Sequence, residues 1–98
     1  MAYVVAAFWR AKDGEDGAVE QALQALSVAS RQEPGCLGYQ AHRAVDDPRL
    51  FLIYEQYVDA AAFDAHVAST HFAQHGREEA IPRLETRERA AYTTLPDA

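Results

Sequence analysis

The chain has few of the residues that staple a fold, span a membrane or bind polyanions. Cys36 is the only cysteine in 98 residues. An intrachain disulfide is therefore excluded and a cysteine-based metal site would lack its other ligands, which fits a reducing cytoplasm. Basic residues are also scarce: 9 Lys and Arg stand against 15 Asp and Glu, a formal charge of -6 with the histidines neutral, and no basic run stands out. Neither nucleic acid nor an anionic membrane surface is an expected partner. The apolar opening from Met1 to Trp9 has no basic leader and stops at Arg10, far short of the ~20 residues that span a bilayer. There is no Gly-rich phosphate loop, dinucleotide fingerprint, Ser-centred nucleophile elbow or zinc-protease His/Glu spacing. Nothing here demands a metal or a cofactor.

What is present is a globular composition, 49% apolar and 10% aromatic, over a length that fits a single domain at 1–98. Chains this short bury a modest share of their surface and often gain stability by associating. Residues 3–10, rich in Tyr, Val, Phe and Trp and ending before Lys12-Asp13-Gly14, predict a first strand with two apolar faces, interior to its sheet. From 15 to 33 the apolar spacing becomes helical through Val19, Ala22, Leu23, Leu26, Ala29 and Ser30, until Pro34-Gly35 ends it. Segments 36–45 and 50–58 predict two strands joined by the polar hairpin Asp46-Asp47-Pro48-Arg49. Asp59 caps a second helix through Phe72, with a looser continuation to Ile81 that Gly76 weakens and Pro82 interrupts; 85–94 is a last strand.

The order β-α-β-β-α-β predicts the ferredoxin-like α+β architecture, an antiparallel sheet with both helices on one face. Leu37, Tyr39, Ala41, Leu50, Leu52 and Tyr54 would then leave the other face apolar and bare. At ~25 cal/mol per Å2, covering it rewards association, so a homodimer packed through the sheet face is expected. Pairing Val45 with Leu50 across the hairpin sets Ala44 against Phe51, His42 against Ile53, Gln40 against Glu55 and Gly38 against Tyr57, all on the helix side.

On the second helix Phe63, His66, Val67 and Thr70 form the inward stripe, so His66 points at that sheet face. In a regular helix His71 lies about 140° from it and His75 about opposite, so neither joins it. A carboxylate at Glu55 beneath helices needs a partner, and an imidazole within reach tunes both groups towards proton transfer near neutral pH. His66 and Glu55 are therefore the candidate catalytic pair. Tyr57, Phe63, Ile53 and Trp9 are candidate walls for a planar aromatic ligand, with His42 and Gln40 as polar contacts. Cys36, just past the Pro-Gly turn, reads as a small core residue.

Taken in order, Glu33-Pro34-Gly35-Cys36, Tyr39, Asp46-Asp47-Pro48, Tyr54-Glu55, Ala65-His66 and His71-Phe72 resemble the antibiotic-biosynthesis monooxygenase family. These are quinol-monooxygenase-like members of the dimeric α/β-barrel superfamily, and the likeness runs from the first strand to about Phe72. The resemblance implies a cofactor-independent monooxygenase that oxidises a small aromatic quinol or anthrone with O2, without metal or flavin. In that chemistry His66 accepts the proton or stabilises the anion, Glu55 orients or balances it, and Tyr57 and Phe63 hold the ring. Haem-degrading relatives place an Asn on the first strand, a Trp on the second helix and an axial His farther on; this chain has Ala7, His66 and Gly76 there. Isomerases of phosphorylated sugars also belong to the superfamily, but no Lys or Arg cluster is expected near the pocket. A non-catalytic dimer that binds a small aromatic in the same hollow, or an isomerase of that superfamily, is the alternative reading.

Overall fold

In the computed structural model, which describes residues 1–96, the two periodicities resolve into a sheet with helices on one face. Residues 97 and 98, the end of the expected domain, lie outside the described residues. The elements are β1 (Tyr3–Ala11), α1 (Asp16–Ser30), β2 (Cys36–Arg43), β3 (Leu50–Tyr57), α2 (Ala60–Val67), α3 (Phe72–Ala80, wound as a π-helix) and β4 (Leu84–Thr93), with a short 3-10 turn at Ile81–Arg83 before the last strand. The strands are ordered β2-β3-β1-β4 and every pair is antiparallel, the ferredoxin-like α+β fold. None of the helices among the described residues is long and apolar enough to cross a membrane.

β1 is apolar on both faces because it is central. Val5, Ala7 and Trp9 turn towards the helices and are buried, whereas Phe8 on the other face is 43% exposed. Across that outer face Phe8 sits beside Leu52, Ala6 beside Tyr54 and Val4 beside Tyr92, and Tyr54 and Tyr92 are themselves 43% and 55% exposed. The inner face packs against α1 through Val19, Leu23 and Leu26 and against the end of α3 through Ala80. A second, smaller cluster of Val5, Tyr57 and Phe63 lies under α2.

The hairpin register differs from the expected one by a single residue. Arg43 pairs with Phe51 and Tyr39 with Glu55, so Ala44 rather than Val45 meets Leu50, its N–H donating to the Leu50 carbonyl at 2.9 Å. The loop is therefore a residue longer. Asp47 accounts for it: its carboxylate accepts from the Arg49 backbone N–H at 3.1 Å and pairs with Arg10 of β1, pinning the turn to the sheet. Because side chains alternate, the slip exchanges the faces of β2. Tyr39 and Ala41 turn inward instead of lining the bare face, while Gln40 and His42 turn out. Burying Tyr39 and solvating Gln40 and His42 is the cheaper arrangement, since an unpaired amide or imidazole under the helices would lose its water.

Local chemistry sets the other joins. Gly14 takes φ 82 in the turn after β1, a region that favours glycine. Asp59 caps α2 by accepting from the Ala62 N–H at 2.9 Å. The turn before β2 runs hard against α2: a Cβ at Gly35 would stand 2.5 Å from the Cβ of Ala62. Gly35 also accepts the Val58 N–H at 2.9 Å, so it seats both the end of β3 and the start of α2. Gly35→Ala is expected to destabilise the protein by about 1–3 kcal/mol through this overlap, with Ala62→Gly in the same chain restoring much of the loss. Urea unfolding of the single and double variants measures it; equal stability of Gly35→Ala and the parent would show that the contact is slack.

Candidate active site

His66 is 1% exposed and lies on the inward side of α2, between the two apolar clusters. An imidazole taken out of water needs partners for its nitrogens. Its Nδ1–H donates to Glu33 Oε2 at 2.7 Å, and Ser30 Oγ stands farther off at 3.5 Å. Glu33 is not helical as expected, because α1 stops at Ser30. The residue sits in the following turn, held by its own N–H to the Ser30 carbonyl and by the Cys36 N–H to its carbonyl, both 3.1 Å.

The same Glu33 oxygen accepts from His71 Nε2–H at 2.5 Å. A regular helix would have carried His71 away from His66, but α2 ends at Val67. The Ser69 N–H bonds to the His66 carbonyl at 3.1 Å, the Ser69 hydroxyl donates to that carbonyl at 2.6 Å, and the Phe72 N–H donates to Ser69 Oγ at 3.1 Å. Ser69 thus closes one helix and opens the next, and the reset phase swings His71 onto Glu33. Glu33, His66 and His71 bring their ligand atoms within 4.8 Å of one another, a donor set that divalent metals accept. In the arrangement described, both rings direct a nitrogen at the same carboxylate oxygen, so Glu33 ties His66 and His71 together.

Donation from Nδ1 leaves His66 Nε2 as the acceptor nitrogen, and it points the other way. Glu55 Oε1 lies 3.8 Å from it, too far for a hydrogen bond. Glu55 is 5% exposed on the inner face of β3 and accepts from the Tyr57 hydroxyl at 2.6 Å. Burial raises its pKa from the ordinary 4.5 to about 7, against the opposing pull of the Tyr57 hydrogen bond and of Arg89. Burial lowers the pKa of His66, with Glu33 pulling it back part of the way. The Tyr57 hydroxyl is raised far above its usual range, again by burial first and Glu55 second, so it stays a donor.

Nε2 and Glu55 face a cavity of about 380 Å3 between the β1–β4 side of the sheet and α2 and α3, within the range of small-molecule sites. Trp9, Tyr39, Phe63 and Phe72 supply its aromatic wall. Of the residues expected there, His66, Glu55, Phe63 and Trp9 line the cavity. Tyr57 does not; it stands behind Glu55 and fixes it. Ile53 is sealed in the core, with 0% exposure. His42 is on the opposite face of the sheet, its Nδ1 3.2 Å from the Leu52 carbonyl, a consequence of the register slip. Cys36 is half-buried in the core, and burial raises its thiol.

Glu33, His71, Tyr39 and Phe72 were missed as site residues. All four carried a signal all the same, as elements of the motif series. The expectation of no basic cluster is overturned: Arg77, Arg87 and Arg89 all line the cavity. Arg87 and Arg89 alternate along β4 opposite Trp9 and Ala7, a period of two that the last strand already displayed.

The sequence profile described as antibiotic biosynthesis monooxygenase matches residues 1–78. The chain belongs to that family. Solved structures agree. The PA3566 protein of Pseudomonas aeruginosa is 33% identical with a TM-score of 0.88, covering 97% of this chain and 95% of its own. The SO0527 protein of Shewanella oneidensis is also 33% identical, with a TM-score of 0.85 and coverage of 93% and 88%. A proposed antibiotic biosynthesis monooxygenase from Nitrosomonas europaea superposes with a TM-score of 0.91 at 25% identity, covering 96% and 90%. No curated protein is a match to the chain. Within the family fold the site is thus an aromatic hollow with a buried imidazole and a buried carboxyl group on one wall.

Glu55 has a folded pKa above its ordinary one, so its neutral form favours the fold fully below pH 4.5 and that contribution is lost as pH rises through about 7. Glu55→Gln keeps an acceptor for Tyr57 but cannot ionise. At about pH 8 the variant is expected to be more stable than the parent by about 3 kcal/mol, at ~1.4 kcal/mol per pH unit, and to lose that advantage near pH 4. Denaturant unfolding across pH measures the difference; parallel profiles for the two proteins would place the Glu55 carboxyl in water.

Proposed function

We propose that the chain is a cofactor-independent monooxygenase that oxidises a small planar quinol- or anthrone-type substrate with O2. The observation that carries this reading is the held tautomer of His66: Nδ1–H fixed on Glu33 at 2.7 Å and Nε2 open to an aromatic cavity. Burial keeps the ring neutral and therefore a base. A substrate ring lying against Phe63, Phe72 and Tyr39 would present its phenolic O–H or acidic C–H to Nε2. The proton moves to Nε2, and the imidazolium so formed is stabilised by Glu33 behind it, as in acid-histidine pairs generally. The substrate anion is then electron-rich enough to pass an electron to O2 directly. For an anthrone, the ring carbon exchanges two hydrogens for one oxygen atom and the second oxygen leaves as water. Glu55, which titrates at about 7 beside the same nitrogen, can supply a proton to the reduced oxygen. The apolar walls keep competing water away.

The same reading includes a homodimer in the cytoplasm. Phe8, Tyr54 and Tyr92 on the outer sheet face form the apolar surface that a second copy would cover. The parent is expected to sediment as a dimer, and the paired Phe8→Glu/Tyr54→Glu variant as a monomer with the same far-UV circular dichroism. A monomeric parent at micromolar concentration would remove this part of the proposal.

Oxygen uptake by the pure protein with a panel of naphthohydroquinones and anthrones tests the chemistry. His66→Ala is expected to lower kcat by about 10²–10⁴-fold. Glu33→Gln should lower kcat with little change in KM, and should move the acid limb of kcat/KM, which lies below the ordinary histidine value of 6.5, to still lower pH because the raising influence of Glu33 is gone. No uptake across the panel together with retained ligand binding would favour a non-catalytic aromatic binder.

A further inference from the structure

The distribution of charge around the cavity is at odds with the composition of the chain. Acidic residues outnumber basic ones, 15 to 9, so most guanidinium groups should find a carboxylate. Arg10, Arg43, Arg49 and Arg83 do. Arg31, Arg77, Arg87 and Arg89 enter no ion pair among the described residues; Arg31 is spent on the Tyr39 carbonyl and the Gln40 side chain, whereas the other three line the aromatic cavity that holds His66 and Glu55. Arg89 lies over the Phe63 ring at 5.0 Å and Arg77 over the Phe72 ring at 5.2 Å, so two cavity walls each carry a guanidinium. Stacked this way, the planar forks are held with donors left over: Arg77 spends one on the Val67 carbonyl at 3.2 Å.

The opposing charges are few. Glu88 lines the cavity too, and Glu55 stays mostly neutral up to about pH 7. The rim is therefore net positive in an acidic protein. Arg87 and Arg89, two residues apart on one face of β4, stand about 7 Å from each other along the strand, a spacing that brackets one oxyanion. Their position on the exposed last strand, with His66 and Glu55 buried, separates a charged mouth from an apolar, proton-handling floor.

We propose that the natural substrate carries an acidic substituent, a carboxylate or phosphate, that Arg87 and Arg89 bind at the mouth of the cavity with Arg77 supplying a third guanidinium. The ring then runs inward between Phe63 and Phe72 to present its acidic hydrogen to His66. This deepens the quinol reading and rests on its aromatic cavity. Bidentate guanidinium contacts recognise either oxyanion, and the charge also draws such ligands to an otherwise repulsive surface.

Calorimetric titration of the full chain with naphthoate, naphthyl phosphate and the neutral methyl ester of naphthoate tests it. At least one acid is expected to bind about tenfold or more tightly than the ester, as charge-assisted hydrogen bonds do, and the tighter of the two identifies carboxylate or phosphate. In the Arg87→Gln/Arg89→Gln variant that preference should collapse to near parity while ester affinity is kept, and added salt should erode it in the parent. Equal binding of acids and ester, no binding of either acid, or a preference that survives in the double variant would overturn the proposal. Oxygen uptake with a neutral naphthohydroquinone separates the two readings. Uptake without acid preference leaves the oxygenase and removes the anion site; acid preference without uptake leaves the anion site and removes the oxygenase.

Discussion

The hydrogen bond between Glu33 and the buried ring of His66 is the constraint on which the remainder of the site depends. An imidazole with 1% exposure is out of water, and without a partner for Nδ1 it would carry a desolvation cost or rotate to find one. Glu33 meets that need from a turn distant in sequence and so joins the end of α1 to α2. It also decides the tautomer, and with it which nitrogen faces the cavity. The proposed proton transfer follows from Nε2, rather than Nδ1, facing the cavity.

Two backbone irregularities make that bond and the hollow in front of it. Had α2 continued as a regular helix, its apolar stripe would have closed over the sheet and His71 would have gone to solvent. Instead the chain breaks after Val67, Ser69 satisfies both helix ends, and Phe72–Ala80 resumes as a π-helix, a winding found often at functional sites. The Phe72 ring comes to lie at 5.2 Å from the His66 ring and becomes a cavity wall. On the sheet side the one-residue register places Tyr39 beneath the helices, where its ring lies 5.5 Å from that of His66. Aromatic groups thus surround the imidazole from strand and helix alike, which keeps the medium around Nε2 of low polarity.

Electrostatics sorts the cavity by depth. Burial pushes Glu55 up, to about 7, and His66 down, so the surroundings favour the neutral form of each. The guanidinium groups stay towards the rim, where solvent can share their charge. In the proposed reading, anchoring and chemistry fall at opposite ends of one hollow. The outer face of the sheet, where Phe8, Tyr54 and Tyr92 are partly exposed, has no part in that division.

Much of the architecture was legible in the chain because it rests on local rules. Apolar residues recurring at two or at three to four positions, a Pro-Gly stop and an Asp cap require only neighbours along the sequence, and they placed four strands, α1 and α2 within a few residues. The inward direction of His66 and Glu55 followed from the same periodicities. What the sequence could not decide was any feature set by a contact between distant segments. The hairpin register turned on Asp47 gripping Arg10, and it moved His42 out and Tyr39 in. The partner of His66 turned out to be Glu33 and not Glu55, because a turn thirty-odd residues away carries its carboxylate closer to Nδ1 than the strand carries Glu55 to Nε2. Periodicity states which side of an element is apolar; only the packing of elements against one another fixes distances to within a hydrogen bond.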